Sequence, residues 1–307
     1  MVVKNFLFHR VSPNPDGLWP PMHPVLFEKT IQFLSSNFPV MLLEDFLEDP
    51  GLYKKEKTLA TISFDDGYKD NIEIAAPILQ RYRCPASFYL VTDCIDHNLP
   101  TWTYITDHFF QQDGKMDMQF DYDFVPAGFR SITWVNAAEG SEWGKKIKPW
   151  MKTLSNPQRL QIMEAMERRR NGKVIPRDMM MNWTDAKQLQ AAGFYMGSHS
   201  RTHPMLASLT NETEIRDELE NSAKRIETEL GERPLTISYP IGSWDERVKR
   251  IANTAGYKYG LAVEQRFYKP GIDNIFTIPR VELYNEPWWK ARLRISGLYQ
   301  VVKKLVK

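Results

Sequence analysis

The stretch Leu59-Ala-Thr-Ile-Ser-Phe-Asp-Asp-Gly67 decides the architecture, because an apolar run stops abruptly at two acids and a glycine. A short run of this kind predicts a buried strand, and Gly67 permits a sharp turn directly after it. In parallel α/β proteins the ligand site lies at the carboxyl ends of the strands. We therefore expect Asp65 and Asp66 to face a functional site. A turn that caps the following helix is the alternative reading of the two acids.

The rest of the chain alternates short apolar runs with amphipathic helical patterns, which predicts repeated β-α units and a mostly parallel sheet. Strands are predicted at 3–9, 58–64, 86–91, 194–198, 235–239, 258–263 and 275–281. Helices are predicted at 24–36, 70–82, 184–192, 211–230 and 245–255, with Thr184 and Thr210 as start signals and Gly193 and Gly231 as stop signals. A chain of 307 residues then accommodates a single catalytic domain, a barrel of eight or fewer strands.

Residues 97–181 do not follow the alternation of strand and helix patterns. They are predicted to form an insertion packed over the mouth of the barrel. The segment is rich in aromatic residues, Gly and Asp. It contains one well-marked helix, 158–170, with Asn156 as its cap and Pro157 in its first turn. We expect helical or irregular structure here and an influence on substrate specificity.

Composition excludes several classes of protein. With 42% hydrophobic residues and a formal net charge of +2, the chain is globular and gives no indication of a nucleic acid partner. Cys84 and Cys94 are expected to be free thiols, because their spacing matches neither a disulfide framework nor a zinc ribbon. The first residues do not resemble a signal peptide, and no run reaches transmembrane length. The expected location is the cytoplasm.

A second predicted strand end carries two histidines in His199-Ser-Arg-Thr-His203. Histidines at i and i+4 lie on one face of a helical turn, about 6 Å apart at Cβ, so both imidazoles can bind one ion. With one carboxylate they make a ligand set suited to Zn²⁺ or another transition metal. Histidines in a structural role are the alternative. The acids at the end of another strand favour a metal site.

A third predicted strand ends in Ser238-Tyr-Pro-Ile-Gly242, a turn that can present backbone N–H groups to an oxyanion. Taken together, the sequence resembles the polysaccharide deacetylase family, also called the NodB-homology domain or carbohydrate esterase family four. The family motifs T-F-D-D-G, H-[ST]-x-x-H and R-x-P-Y-G correspond to residues 63–67, 199–203 and 238–242. The likeness covers residues 1–94 and 182–284 and omits the insertion.

The resemblance implies a distorted, incomplete (β/α) barrel and a hydrolase that removes an acetyl group, N-acetyl rather than O-acetyl, from a sugar or polysaccharide precursor in glycan biosynthesis. By resemblance, Asp65 is the general base, and Asp66, His199 and His203 bind a divalent metal ion, with Zn²⁺ favoured. The backbone N–H of Ile241 belongs to the oxyanion hole. Hydrolysis of a non-sugar C–N bond and a catalytically silent carbohydrate-binding role are the alternatives.

The sequence departs from the family pattern in two places, so the supporting cation and the general acid must be other residues. Ser238 stands where the family has the arginine that supports the catalytic aspartate, and the late Leu-x-His motif has no clear match. Arg280 is the candidate cation, with a salt bridge at the core edge as the alternative. His9 ends the first predicted strand and is the candidate acid, because histidine titrates near neutral pH; a backbone-bonded histidine is the alternative. Aromatic residues with either a sugar-stacking or a core role are Trp183, Tyr239 and Trp244.

The C-terminal segment 287–307 contains several cations and no acids. Apolar residues recur in it at helical spacing, which predicts a basic amphipathic helix over the whole segment. This helix either docks on the barrel or attaches to an anionic membrane at its inner face, and the second reading favours a lipid-linked or nucleotide-linked sugar. The apolar positions are Ala291, Ile295, Leu298, Val302 and Leu305.

Overall fold

The computed structural model describes residues 1–15, 17–170 and 174–299. Within these ranges the strands are β1 Val2–Phe8, β2 Thr58–Phe64, β3 Ser87–Leu90, β4 Met116–Gln119, β5 Ser131–Trp134, β6 Tyr195–Ser198, β7 Thr236–Ser238, β8 Tyr259–Leu261 and β9 Val281–Glu282. The α-helices are α1 Pro24–Asn37, α2 Leu43–Glu48, α3 Ala76–Arg81, α4 Thr92–His97, α5 Trp102–Phe110, α6 Ala127–Arg130, α7 Ala137–Met151, α8 Asn156–Arg168, α9 Trp183–Ala191, α10 Glu212–Leu230, α11 Glu246–Thr254 and α12 Trp288–Ser296. A π-helical turn, Asn71–Ala75, precedes α3.

A curled parallel sheet forms the body of the protein, with the strand order β8-β7-β6-β3-β2-β1-β9. Strands β1 and β2 pair along their whole length, from Val2 opposite Thr58 to Phe8 opposite Phe64. Both are buried on their two faces, as expected where helices cover a parallel sheet. Because all strands run the same way, their carboxyl ends share one rim. The expectation of an incomplete (β/α) barrel is confirmed.

The seam between β8 and β9 is irregular. Ile278 makes a single parallel bridge to Leu261, and the only ladder of β9 in the described sheet is with β1. The strand predicted at 275–281 was therefore too long, since Val281–Glu282 alone is a strand. Pro279 has no N–H to donate to a ladder at this point, which explains the interruption.

Most predicted elements are present, with small shifts at helix starts. Asn182 rather than Thr184 caps α9, because its side chain accepts from the Asp185 N–H while Asp185 accepts from the Asn182 N–H. The same kind of shift applies to α8, capped by Ser155 instead of Asn156, and to α10, capped by Asn211 instead of Thr210.

The insertion is more regular than predicted. It contains α5 to α8 and the antiparallel pair β4 and β5. It also has its own hydrophobic cluster, which includes Phe110, Trp134, Ile147 and Ile162. As expected, it lies over the barrel mouth, where the Trp102 Nε1–H donates to the His203 carbonyl at 3.1 Å.

The last described helix docks on the barrel. Ala291 and Ile295 are buried, and the Lys4 ammonium donates to the Ile295 carbonyl at 2.7 Å. The helix predicted over 287–307 is interrupted, because α12 ends before Gly297, which adopts a left-handed conformation with φ 85°; residues 300–307 lie outside the described residues. Val302 and Leu305 lie outside the described residues, so the membrane reading stays a prediction.

Two further expectations concern thiols and membrane spans. Cys84 and Cys94 are free and buried, as expected. Among residues 1–15, 17–170 and 174–299, no helix combines the length and apolar character needed to cross a bilayer.

Candidate active site

The acid pair lies in a tight turn at the end of β2. The Asp65 N–H donates to the Phe8 carbonyl of β1 at 3.1 Å, which ties the turn to the neighbouring strand. Asp66 and Gly67 both have left-handed backbones, with φ 77° and φ 83°. Asp tolerates this conformation, and Gly adopts it without steric cost. Both carboxylates are thereby held at the rim, where Asp65 is 1% and Asp66 3% exposed.

The histidine pair converges, but not through a helix. Residues 199–203 form bends in which Ser200 (φ 65°) and His203 (φ 62°) are left-handed. The Ser200 hydroxyl accepts from the His203 N–H at 3.1 Å, and Glu218 of α10 accepts from the N–H groups of residues 201 and 202. The two imidazole centroids lie 5.0 Å apart. The predicted meeting of the rings is correct, whereas the helical turn expected to cause it is absent.

Asp66, His199 and His203 offer three donor atoms to one point. Asp66 Oδ1 lies 3.5 Å from His199 Nε2 and 3.3 Å from His203 Nε2, and one ligand atom from each residue lies within 4.8 Å of the others. Asp66 Oδ1 is buried and has no hydrogen-bond partner among the described residues. His199 Nδ1 donates to the Ser238 carbonyl at 2.7 Å, which leaves the Nε2 lone pair facing Asp66. This buried donor set fits a divalent cation such as Zn²⁺.

Arg280, the candidate cation predicted from the sequence, contacts Asp65. Its two terminal nitrogens donate to the two carboxylate oxygens of Asp65, each at 2.8 Å, and the guanidinium is fully buried. The Ser238 hydroxyl donates to Asp65 at 3.0 Å and accepts from Arg280 at 2.8 Å. Burial alone would raise the pKa of Asp65, but the charge of Arg280, the charge of His199 and the hydrogen bond from Arg280 together outweigh burial and lower that pKa.

His9 also lies at the rim. Its Nδ1 is 3.6 Å from Glu282 Oε1, and the Tyr284 hydroxyl donates to the other Glu282 oxygen at 2.5 Å. The edge of the Trp19 ring packs against the imidazole, with 4.7 Å between centroids. Glu282 was not predicted from the sequence, although residues two apart in an extended segment face the same way, which places Glu282 on the same face as Arg280.

The acid pair, the histidine pair, His9 and Glu282 line one cavity of about 310 Å³. The insertion forms one wall of the cavity, as its predicted place over the barrel mouth suggested, but the individual residues of this wall were not predicted, because nothing in a single sequence relates them to the motifs. Neither Tyr239 nor Trp244 is among the described residues that line it, since Tyr239 is buried in a core cluster and Trp244 packs against that cluster. Trp183 instead donates from Nε1 to Asp96 at 2.7 Å. The lining residues are His9, Trp19, Asp65, Asp66, Thr103, Asp107, Lys148, Lys152, His199, His203, Ile241, Val263 and Glu282.

Backbone strain concentrates at this site. Of the seven described non-glycine residues with positive φ, four are Asp66, Ser200, His203 and Ile241. Each such conformation costs free energy and persists only where the surrounding structure enforces it. Holding these groups in place therefore lowers the stability of the folded protein, as expected for a preorganised functional site.

Fold and site together define a hydrolase architecture, in which the rim of an incomplete barrel carries an acid pair and a histidine pair around an open cavity. The family model described as polysaccharide deacetylase matches residues 53–136 and 150–260. The chain belongs to the polysaccharide deacetylase family. Membership implies a hydrolase of acetyl amide or acetyl ester bonds.

Solved structures with the same fold have low sequence identity. They include Streptococcus pyogenes deacetylase PplD in complex with acetate (TM-score 0.61, 15% identity, 98% of this chain and 97% of that chain) and IcaB from Ammonifex degensii (0.63, 14%, 97% and 97%). A third is a de-N-acetylase from Aggregatibacter actinomycetemcomitans (0.60, 15%, 94% and 97%). At these identities the likeness concerns the fold. A search of curated protein sequences finds no significant match.

Proposed function

We propose that the protein is a metal-dependent deacetylase that hydrolyses the N-acetyl group of a sugar or polysaccharide precursor in glycan biosynthesis. One observation carries the proposal: the buried donor cluster of Asp66, His199 and His203 shares a cavity with Asp65, which an arginine holds in place. Two structural neighbours, a de-N-acetylase and a deacetylase in complex with acetate, support the choice of an acetyl amide.

Asp66, His199 and His203 are the residues that would hold the ion. A divalent cation at this position supplies the positive charge that polarises a carbonyl group and acidifies a water molecule. The hydrogen bond from His199 Nδ1 to the Ser238 carbonyl orients the first imidazole. The Ser200 hydroxyl accepts from the backbone N–H of His203 and holds the backbone of the second histidine, whose Nδ1 has no hydrogen-bond partner among the described residues.

Asp65 takes the proton from the attacking water. Its lowered pKa keeps the carboxylate ionised and ready to accept. Arg280 and Ser238 fix its orientation. Oδ2 accepts from both residues, whereas Oδ1 accepts only from Arg280 and retains a further acceptor site for the water. The new C–O bond converts the acetyl carbonyl into an oxyanion, to which the backbone N–H of Ile241 donates.

His9 protonates the departing nitrogen. The C–N bond breaks, its electron pair and the proton from His9 end on the amine, and the acyl carbon leaves as acetate. Glu282 Oε1, 3.6 Å from His9 Nδ1, orients the imidazole so that Nε2 is left for the substrate. The products are acetate and a free amino sugar.

The test is acetate release by the metal-reconstituted protein from N- and O-acetylated sugars in free, nucleotide-linked and polymeric form. We expect release from N-acetylated substrates, abolished by a chelator and reduced about 10²- to 10⁴-fold by Asp65→Asn. Near-normal turnover by Asp65→Asn would show that Asp65 is not the general base. Release from none of the sugars, despite tight zinc binding, would redirect the assignment to a non-sugar C–N bond.

A further inference from the structure

The insertion contributes two lysines to the wall of the catalytic cavity. Lys148 lies in the last turn of α7, and Lys152 directly follows the end of this helix. A separation of four residues places both side chains on one face. Cations are common at helix C-termini, where they interact favourably with the dipole. These two, however, line the cavity that also contains Asp65 and His9.

The two lysines differ in their partners. Lys148 Nζ forms an ion pair with Asp107 Oδ2 at 2.5 Å, and the Asp107 side chain is only 3% exposed. Lys152 forms no side-chain hydrogen bond or ion pair with any residue of the described ranges. Burial, together with the neighbouring charge of Lys148, lowers the pKa of Lys152. Its ammonium group is therefore partly desolvated and lacks a direct counterion among the described residues, which an anionic ligand in the cavity would supply.

Most of the other charged groups of the cavity have partners, and Asp66 belongs to the donor cluster for the ion. Asp65 is paired with Arg280, and Glu282 lies beside His9 and accepts from the Tyr284 hydroxyl. Glu282 acts on Lys152 only at a distance beyond an ion pair. Among the described residues Lys152 thus has no direct counterion, since Asp107 is paired with Lys148 and Glu282 lies beside His9.

We propose that Lys152, supported by Lys148, is an anion-binding subsite for a carboxylate or phosphate group carried by the acetylated sugar or its immediate neighbour. This inference rests on the proposed deacetylase function and narrows its substrate to an anionic glycan. A carboxylate or phosphate oxygen accepts a strong, charge-assisted hydrogen bond from an ammonium. A volume of about 310 Å³ is at the lower end for ligand pockets, so the anionic group must be close to the acetyl group.

The experiment compares three substrates on the zinc-loaded full chain: a neutral N-acetylglucosamine oligomer, an oligomer in which this sugar alternates with glucuronate, and N-acetylglucosamine phosphate. Lys152→Gln removes the charge at the proposed subsite. Lys145→Gln is the matched control, because Lys145 lies on the same helix, is 57% exposed and pairs with Glu142 outside the cavity. Calorimetric titration with glucuronate and with inorganic phosphate measures binding independently of turnover.

We expect wild-type kcat/KM to favour one anionic substrate over the neutral oligomer by about tenfold or more. Lys152→Gln should abolish most of this ratio, and Lys145→Gln should retain it. The preferred anion identifies carboxylate or phosphate as the natural group. Equal wild-type rates on charged and neutral substrates would overturn the subsite, as would an equal loss on all substrates in Lys152→Gln. Anion binding that depends on Lys152 without acetate release would support the subsite and refute the deacetylase.

Discussion

Asp65 shows how a functional contact is preserved when its sequence position changes. The family pattern places the supporting arginine at position 238, where this chain has serine. Arg280 comes from the seam beside β9 and occupies the space that the short Ser238 side chain leaves, and both residues donate to Asp65. An arginine at position 280 can reach Asp65 because β2, β7 and β9 end at the same rim. The place of Arg280 near a strand end therefore predicted this contact.

Replacing Arg280 with Met should destabilise the protein by about 3–5 kcal/mol, because it leaves the buried Asp65 carboxylate without its cation. Misplacement of the base should also lower kcat by about 10²-fold. Urea denaturation and acetate release measure the two effects. The double variant Asp65→Asn/Arg280→Met is the control, and its loss of stability should be smaller than the sum of the single losses. Additive losses would show that the two side chains are not coupled.

Other residues of the site escaped sequence analysis for a physical reason. Asp107, Lys148 and Lys152 belong to a segment that is joined to the motifs only by tertiary packing. No periodicity or spacing marks them as neighbours of Asp65. Glu282 is different, because strand alternation from Arg280 was a usable signal.

Among the elements, prediction succeeded where periodicity is strong and failed where backbone conformation is unusual. Strand β2 and helix α10 are present where their patterns indicated. The segment 199–203 was expected to be helical, but the left-handed conformations of Ser200 and His203 replace the helix. Such conformations are imposed by contacts with distant residues, such as Glu218. Local sequence does not encode those contacts.

Besides lining the cavity, the insertion forms a hydrogen bond to one of the site histidines. Trp102 opens α5 and donates from Nε1 to the carbonyl of His203. His203 has a strained backbone, so this bond helps to hold a ligand residue in its conformation. The insertion is therefore part of the support of the site as well as its wall.

Trp102→Phe removes this hydrogen bond and retains most of the apolar surface. We expect lower zinc affinity and lower kcat, by about three- to tenfold, since a hydrogen bond contributes about 1 kcal/mol. Trp134→Phe is the matched control, because Trp134 is buried in the same cluster and its Nε1–H has no partner among the described residues. Zinc titration and acetate release are the measurements. Equal effects of the two substitutions would assign Trp102 to core packing alone.

At the scale of the whole molecule, the proposed ion site combines residues from parts of the sheet that are not adjacent. Asp66 follows β2, whereas His199 and His203 follow β6, and β3 lies between these strands. An ion held by the three residues would join the two strand ends across β3. The incomplete barrel has an irregular seam at β8 and β9, so a further link within the rim should stabilise it.

Zinc should therefore raise the free energy of unfolding, by about 2.7 kcal/mol at a zinc concentration of 100 times Kd, because the assembled donor set exists only in the folded state. Thermal unfolding with zinc and with chelator measures the difference. His203→Ala should lose this zinc-dependent stabilisation, whereas Asp65→Asn should retain it, because Asp65 bonds to Arg280 and lies outside the donor set. A zinc effect of wild-type size in His203→Ala would place the ion elsewhere. Loss of the effect in Asp65→Asn would make Asp65 a ligand rather than the base.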